Sequence, residues 1–287
     1  MQVLNFFDPW KNKLCTCPRK YSFSPYTGCS HSCLYCYASS YIKNFFNCKP
    51  KKNLIKRLGN DLKKIDKNFP VSISNSSDPY VPEEEKFKLT KDSLKLFTLH
   101  DCKILIITKS DLVCRDIPIL SKAKACVSMT ITTLKEEIAK KLEPKAPSPE
   151  RRLKALERLR EKEIPTAVRL DPIIPFLNED EIEEIVKISA SLGVKHIVSS
   201  TYKARPDNWK RFSLAFPKIS EKLKPLYFQK GEKISNSFYL PKQLRFDLMK
   251  KVREICDKHR ITFSCCREGF FELNNSKSCD GSHLINL

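Results

Sequence analysis

Cys29-Ser30-His31-Ser32-Cys33-Leu34-Tyr35-Cys36 puts three cysteines, spaced C-x3-C-x2-C, on one short loop. A mononuclear zinc site wants four protein ligands, and the adjoining sequence offers no obvious fourth. Three thiolates on a loop suit a cubane iron–sulfur cluster, three irons held by protein and the fourth open to something small. The competing reading is a zinc knuckle that borrows a distant ligand. Residues 21–26 read as a strand that delivers the chain to this loop, Gly28 stands at the turn, and Tyr37-Ala38 continues beyond it.

Working outward, 287 residues are enough for one large α/β domain with a substantial core. No apolar run approaches membrane-spanning length and no charged-then-apolar leader opens the chain, so the expectation is a cytoplasmic protein with no membrane partner. Thirteen cysteines, an odd number, fit metal ligation in a reducing compartment better than a paired disulfide framework. Lys and Arg total 53 against 33 Asp and Glu, a net charge of +20 that attracts polyanions. The same charge can also be spread over solvated faces without a partner.

Short apolar runs alternate with amphipathic stretches. Strands are expected over 21–26, 71–74, 103–108, 125–131, 166–170 and 195–200. Helices are expected over 53–67, 90–99 (capped by Thr90), 112–123, a stretch beginning at Ser148-Pro149, 180–192 (closed by Gly193) and 244–258. Six such units imply a parallel sheet with right-handed crossovers, too few for a closed eight-fold barrel. After Ser200 the pattern breaks, apart from the 244–258 helix and a short strand at 261–263. Each strand ends in a polar group: Asn75 to Asp78, Thr108 and Lys109, Ser128 and Thr130, Arg169 and Asp171, Ser199 and Thr201. Several in register look like a ring around a pocket at the strands' carboxyl ends.

The stretch PYTGCSHSCLYCYA, residues 25–38, resembles the spore photoproduct lyase-like branch of the radical S-adenosylmethionine (SAM) superfamily, which includes DNA repair lyases. The resemblance implies an α/β fold, a partial (β/α)6 TIM-type barrel over 21–205, with an N-terminal extension (1–20) and a C-terminal extension (206–287) packed on it. It implies that Cys29, Cys33 and Cys36 hold a [4Fe-4S] cluster whose open iron binds SAM. One electron, from a reductase or ferredoxin-type donor, then yields methionine and a 5′-deoxyadenosyl radical that takes hydrogen from a substrate. By the same likeness Ser77, Lys109 and Ser128 contact SAM, a cationic Lys109 suiting its carboxylate. Arg169 either joins them or forms a structural ion pair with Asp171. Tyr35 and Tyr37 match tyrosines those lyases use near the reacting centre. The likeness departs at Asn75, which stands where those lyases carry the cysteine that donates hydrogen to the product radical. The relay is half present, which argues against repair of the spore photoproduct itself.

Cys15, Cys17, Cys266 and Cys279 flank the barrel in sequence and would supply four thiolates for zinc or an auxiliary cluster if the chain ends meet. Buried free thiols are the alternative. For substrate, the charge, the family likeness and the interleaving of Trp209, Phe212, Phe216, Tyr227 and Phe228 with basic residues favour nucleic acid, a DNA lesion or RNA. For each of these aromatics the simpler reading is packing on the barrel's open side. For the function as a whole the competing readings are modification of a peptide or small metabolite, and a cluster-bearing binding protein without turnover.

Overall fold

The computed structural model describes residues 2–7 and 13–286. Six strands run parallel in chain order: β1 (Tyr21–Phe23), β2 (Val71–Ile73), β3 (Ile104–Thr108), β4 (Ala125–Thr130), β5 (Thr166–Ile173) and β6 (His196–Thr201). The register carries Tyr21 beside Val71, Val71 beside Ile104 and Ile104 beside Ala125, then Val127 beside Thr166 and Ala167 beside His196. The six expected strands are all present. A seventh, β7 (Thr262–Cys265), lies parallel to β6 and so extends the barrel wall. At the opposite edge Asn5–Phe6 pairs antiparallel with β1. Among the described residues the two edges do not pair with each other, so the barrel is open on one side.

Side chains alternate across each strand, so one face packs outward on helices and the other fills the barrel. Ile104, Ile106, Val127, Met129, Val168 and Ile197 face outward with Leu94, Leu156, Val186 and Met249 in the main core. Inside, Leu105, Cys126 and Ala167 meet Leu284 and Ile285 of the C-terminal turn Ser282–Asn286. These come from the beginnings of β3, β4 and β5, so the chain's end stoppers the amino-terminal mouth. The carboxyl mouth is left for chemistry.

Local signals decide the helix ends. Ser148 caps Pro149–Arg160 by accepting from the Arg151 N–H, and Gly193, at φ +78°, follows Ile182–Ser191. Thr90 does not cap Leu89–Leu99. Its hydroxyl donates to the Pro79 carbonyl, while the buried Glu84 carboxylate accepts from the N–H groups of Thr90 (2.9 Å) and Lys91 (3.1 Å). The helix expected over 112–123 divides into a 3-10 turn, Asp111–Asp116, and a short helix, Ile117–Leu120, with Pro118 near its start, where its missing N–H is least costly. Beyond Ser200, where the pattern seemed to break, Pro206–Ala215 and Pro217–Phe228 are helices, each opened by its proline. A further helix, Glu136–Leu142, also went unanticipated.

Candidate active site

Gly28 turns the chain from β1 into the cysteine loop at φ +84°, and a Cβ there would sit 2.3 Å from the Phe45 carbonyl oxygen. That carbonyl accepts the Cys29 N–H at 2.8 Å, so the first cysteine is fixed by the contact that demands glycine. The loop's far end is fixed by Arg211, which donates to the Cys36 carbonyl (3.3 Å) and the Ser39 hydroxyl (2.8 Å).

Beneath the loop lies a buried polar network. Glu143 accepts from the hydroxyls of Tyr35 and Thr132 and pairs with Arg152 at 2.5 Å, both charged side chains being 1% exposed. Burial alone would raise the Glu143 carboxyl, but Arg152 and Lys109 outweigh it and hold the group down at about 2. Tyr35 is thereby pinned one residue before Cys36. On the other flank Asp78 accepts from Thr108 Oγ1 and from the Lys109 backbone N–H, each at 2.7 Å, and lies 3.5 Å from His31 Nδ1. One carboxylate thus ties the ends of β2 and β3 to the middle of the cysteine loop.

A cavity of about 250 Å³ opens at the carboxyl mouth, lined by Cys29, Cys33 and Cys36 together with Tyr35, Tyr37, Ser77, Lys109 and Arg169. Burial pushes all three thiols up, Cys33 to about 12. Lys109 opposes this at Cys33 and Cys36, helped by Arg152 at the first and Arg211 at the second. Coordination to iron would complete the ionisation. Burial would discharge Lys109, yet an ionised Cys33 and the Glu143 carboxylate raise its pKa above the usual lysine value. Its Nζ sits 5.6 Å from the Tyr35 ring centroid, with no carboxylate in ion-pair contact among the described residues. Three thiols on one loop, beside a cation lacking a carboxylate partner, fit a three-cysteine cluster and an amino-acid ligand.

The radical SAM superfamily model matches residues 23–188, more than half of the chain, and the chain belongs to that superfamily. It is therefore a radical SAM enzyme, with the [4Fe-4S] cluster and SAM that the family implies. An uncharacterised protein of Methanocaldococcus jannaschii is 32% identical over 199 residues, 64% of this chain and 76% of that one. In fold, the chain is similar to spore photoproduct lyase complexed with dinucleoside spore photoproduct, at a TM-score of 0.68 and 14% identity over 92% of this chain and 79% of that one. It is also similar to Streptococcus suis SuiB bound to S-adenosylmethionine, at a TM-score of 0.60 and 15% identity over 89% and 53% of the respective chains. No helix among the described residues is long and apolar enough to cross a membrane.

The anticipated site residues fall into three groups. Tyr35, Tyr37, Ser77, Lys109 and Arg169 line the cavity with the three motif cysteines. Arg169 is already engaged with Asp171 at 2.7 Å. Ser128 does not reach the wall; it lies one pleat below Thr130, which does, and its fully buried hydroxyl has no partner. Asn75 also lines the cavity, but its amide is spent inside the barrel, accepting from Ser72 and donating to Ser22, each at 2.8 Å. Cys15, Cys17, Cys266 and Cys279 line the same cavity, and the Cys279 carbonyl lies 3.5 Å from His196 Nε2 at the beginning of β6. The remaining cysteines, Cys48, Cys102, Cys114, Cys126, Cys256 and Cys265, are buried.

Sequence reading missed Glu143, Arg152 and Arg267. The first begins a proline-rich loop and the second sits in a helix; only the fold brings them under Tyr35. The aromatics after Ser200 turn out to pack on one another. Trp209, Phe212 and Tyr227 cluster around Tyr202 at ring-centroid separations of 5.3 to 6.5 Å, and Phe212 and Tyr227 are essentially buried. Phe228 at the end of the same cluster stays 40% exposed.

Proposed function

We propose that this radical SAM enzyme abstracts hydrogen from a nucleic acid. The observation that carries the reading is a guanidinium–tyrosine stack at the cavity mouth. The Arg267 guanidinium lies 5.5 Å from the Tyr37 ring centroid, and that of Arg205 lies 6.0 Å from both Tyr37 and Tyr41. Tyr41 is 55% exposed, so the stack runs from solvent down to the cavity. Planar cations alternating with rings suit splayed bases and their phosphates. The net charge of +20 favours the same partner.

When bound, the cluster and SAM together supply one-electron cleavage of a sulfonium C–S bond and so a hydrogen-abstracting carbon radical. The residues of this chain bind and orient. Cys29, Cys33 and Cys36 would hold the cluster, Lys109 would pair with the SAM carboxylate, and Ser77 offers a hydroxyl to its amino or ribose groups. Tyr37, whose hydroxyl donates to the Asn75 carbonyl at 3.4 Å, stands between that pocket and the arginine stack. With an amide rather than a thiol at Asn75, we assign Tyr37, which donates to the Asn75 carbonyl, as the group that returns hydrogen to product, and the reaction differs from repair of the spore photoproduct. The electron comes from a reductase or ferredoxin-type partner.

The test uses deuterated nucleic acid and deuterated peptide, each prepared from cells grown in heavy water. Either is incubated anaerobically with reconstituted enzyme, SAM and dithionite. Deuterium entering 5′-deoxyadenosine from the nucleic acid supports the reading. Deuterium entering only from the peptide fraction contradicts it.

A further inference from the structure

Segments flanking β1 and β7, next to the two edges of the open sheet, carry cysteines that come together in space. Cys15 and Cys17 precede β1, Cys266 directly follows β7, and Cys279 lies in the C-terminal extension. The Cys279 thiol donates to Cys17 Sγ at 3.6 Å, and Cys15 lies next to Cys17, close enough for the two thiols to influence each other's charge. Cys266 lies within electrostatic reach of both Cys15 and Cys279. Tetrahedral zinc with Zn–S bonds of about 2.3 Å sets its sulfurs about 3.8 Å apart. The Cys17–Cys279 separation is close to that edge, whereas thiolates on different corners of a cubane stand further apart.

The surroundings are those of metal-bound thiolates. Lys20, 2% exposed, donates to Cys17 Sγ at 3.7 Å and to Asp280 at 2.5 Å. On the other side the Arg169 guanidinium, ion-paired with Asp171 at 2.7 Å, lies within electrostatic reach of Cys266. Buried N–H donors aimed at sulfur are the usual outer support of a metal–thiolate set. Among the described residues no three His, Cys, Asp or Glu side chains already converge on one ion, so closing the set requires the thiols to turn inward by side-chain rotation.

We propose that Cys15, Cys17, Cys266 and Cys279 form a tetrathiolate zinc site that ties β1 to β7 and closes the open side of the barrel. Binding one Zn2+ releases the four thiol protons to solvent and leaves a tetrathiolate centre of net charge −2, beside which Lys20 supplies a buried positive charge. The ion joins segments more than 240 residues apart in sequence, and its four ligands belong to the lining of the cavity. The proposal is independent of the substrate reading above.

Metal content of the full chain tests it directly. Wild-type protein purified anaerobically should carry one zinc per chain besides the iron of the motif cluster. Cys29→Ala/Cys33→Ala/Cys36→Ala should lose that iron and keep the zinc. Cys17→Ser/Cys279→Ser should lose the zinc, keep the iron-dependent visible absorption, and melt on the order of 5–10 °C lower. If this double variant does not fold, the metal count of wild type and of the triple variant still decides. No zinc in the triple variant would overturn the proposal, as would iron and sulfide in its place or a Cys17–Cys279 disulfide found by mass spectrometry under anaerobic purification.

Discussion

Two sets of thiols line one cavity, and they are built in opposite ways. Cys29, Cys33 and Cys36 sit on a single loop, whose geometry is set locally by Gly28 and from below by Glu143 and Arg152. Cys15, Cys17, Cys266 and Cys279 are assembled from the two ends of the sheet and exist as a group only because the barrel curves round to bring them together. The loop set leaves ligand positions open for chemistry. The assembled set would use all its ligands to hold the wall in place.

The largest expected effect breaks the loop set alone. Cys33→Ser should drop 5′-deoxyadenosine formation to the buffer background and remove iron, with little change in the melting temperature. Loss of zinc together with the iron would show that the two sets are not separable.

Glu143→Gln probes the support beneath the loop. It leaves Arg152 buried without its counter-charge, a change expected to cost about 3–5 kcal/mol in urea unfolding. The same pair makes stability depend on pH. The Glu143 carboxyl is held at about 2, below its ordinary 4.5, so the ionised form stabilises the fold. That contribution is complete above pH 4.5 and is lost as pH falls towards 2. Wild type should therefore lose stability over this interval more steeply than Glu143→Gln.

How much could be read without coordinates follows the same division. Residues 25–38 named the loop set and its chemistry because every determinant is contiguous, and the strand–helix alternation gave the six parallel strands. Ser148 and Gly193 marked their helix ends for equally local reasons. What escaped depends on contacts between distant segments. Glu84 displaces Thr90 as cap through a turn made earlier in the chain, and Glu143 reaches Tyr35 only across the barrel rim. β7 joins the wall although 60 residues separate it from β6. The helices opened by Pro206 and Pro217 were signalled locally, and the packing of Phe212 and Tyr227 is the simpler of the two readings their sequence allows. The assembled cysteines could be named from sequence; only the fold shows that they meet.

Smaller effects sharpen the comparison. Lys109→Met removes one charge-assisted bond, worth about 1.5–3 kcal/mol, and should raise the apparent Kd for SAM about 10- to 150-fold with iron content unchanged. Lys109→Arg should recover part of that affinity. Smallest of all, Arg267→Ala should weaken oligonucleotide binding and reduce the slope of log K against log salt by about 1.

The most direct measurement is SAM cleavage by the anaerobically reconstituted protein under dithionite, followed as methionine and 5′-deoxyadenosine. Wild type should form both in equal amounts, and Cys29→Ala/Cys33→Ala/Cys36→Ala should form neither. Iron- and sulfide-replete wild type that neither binds nor cleaves SAM would contradict the assignment of an open iron to these three thiols.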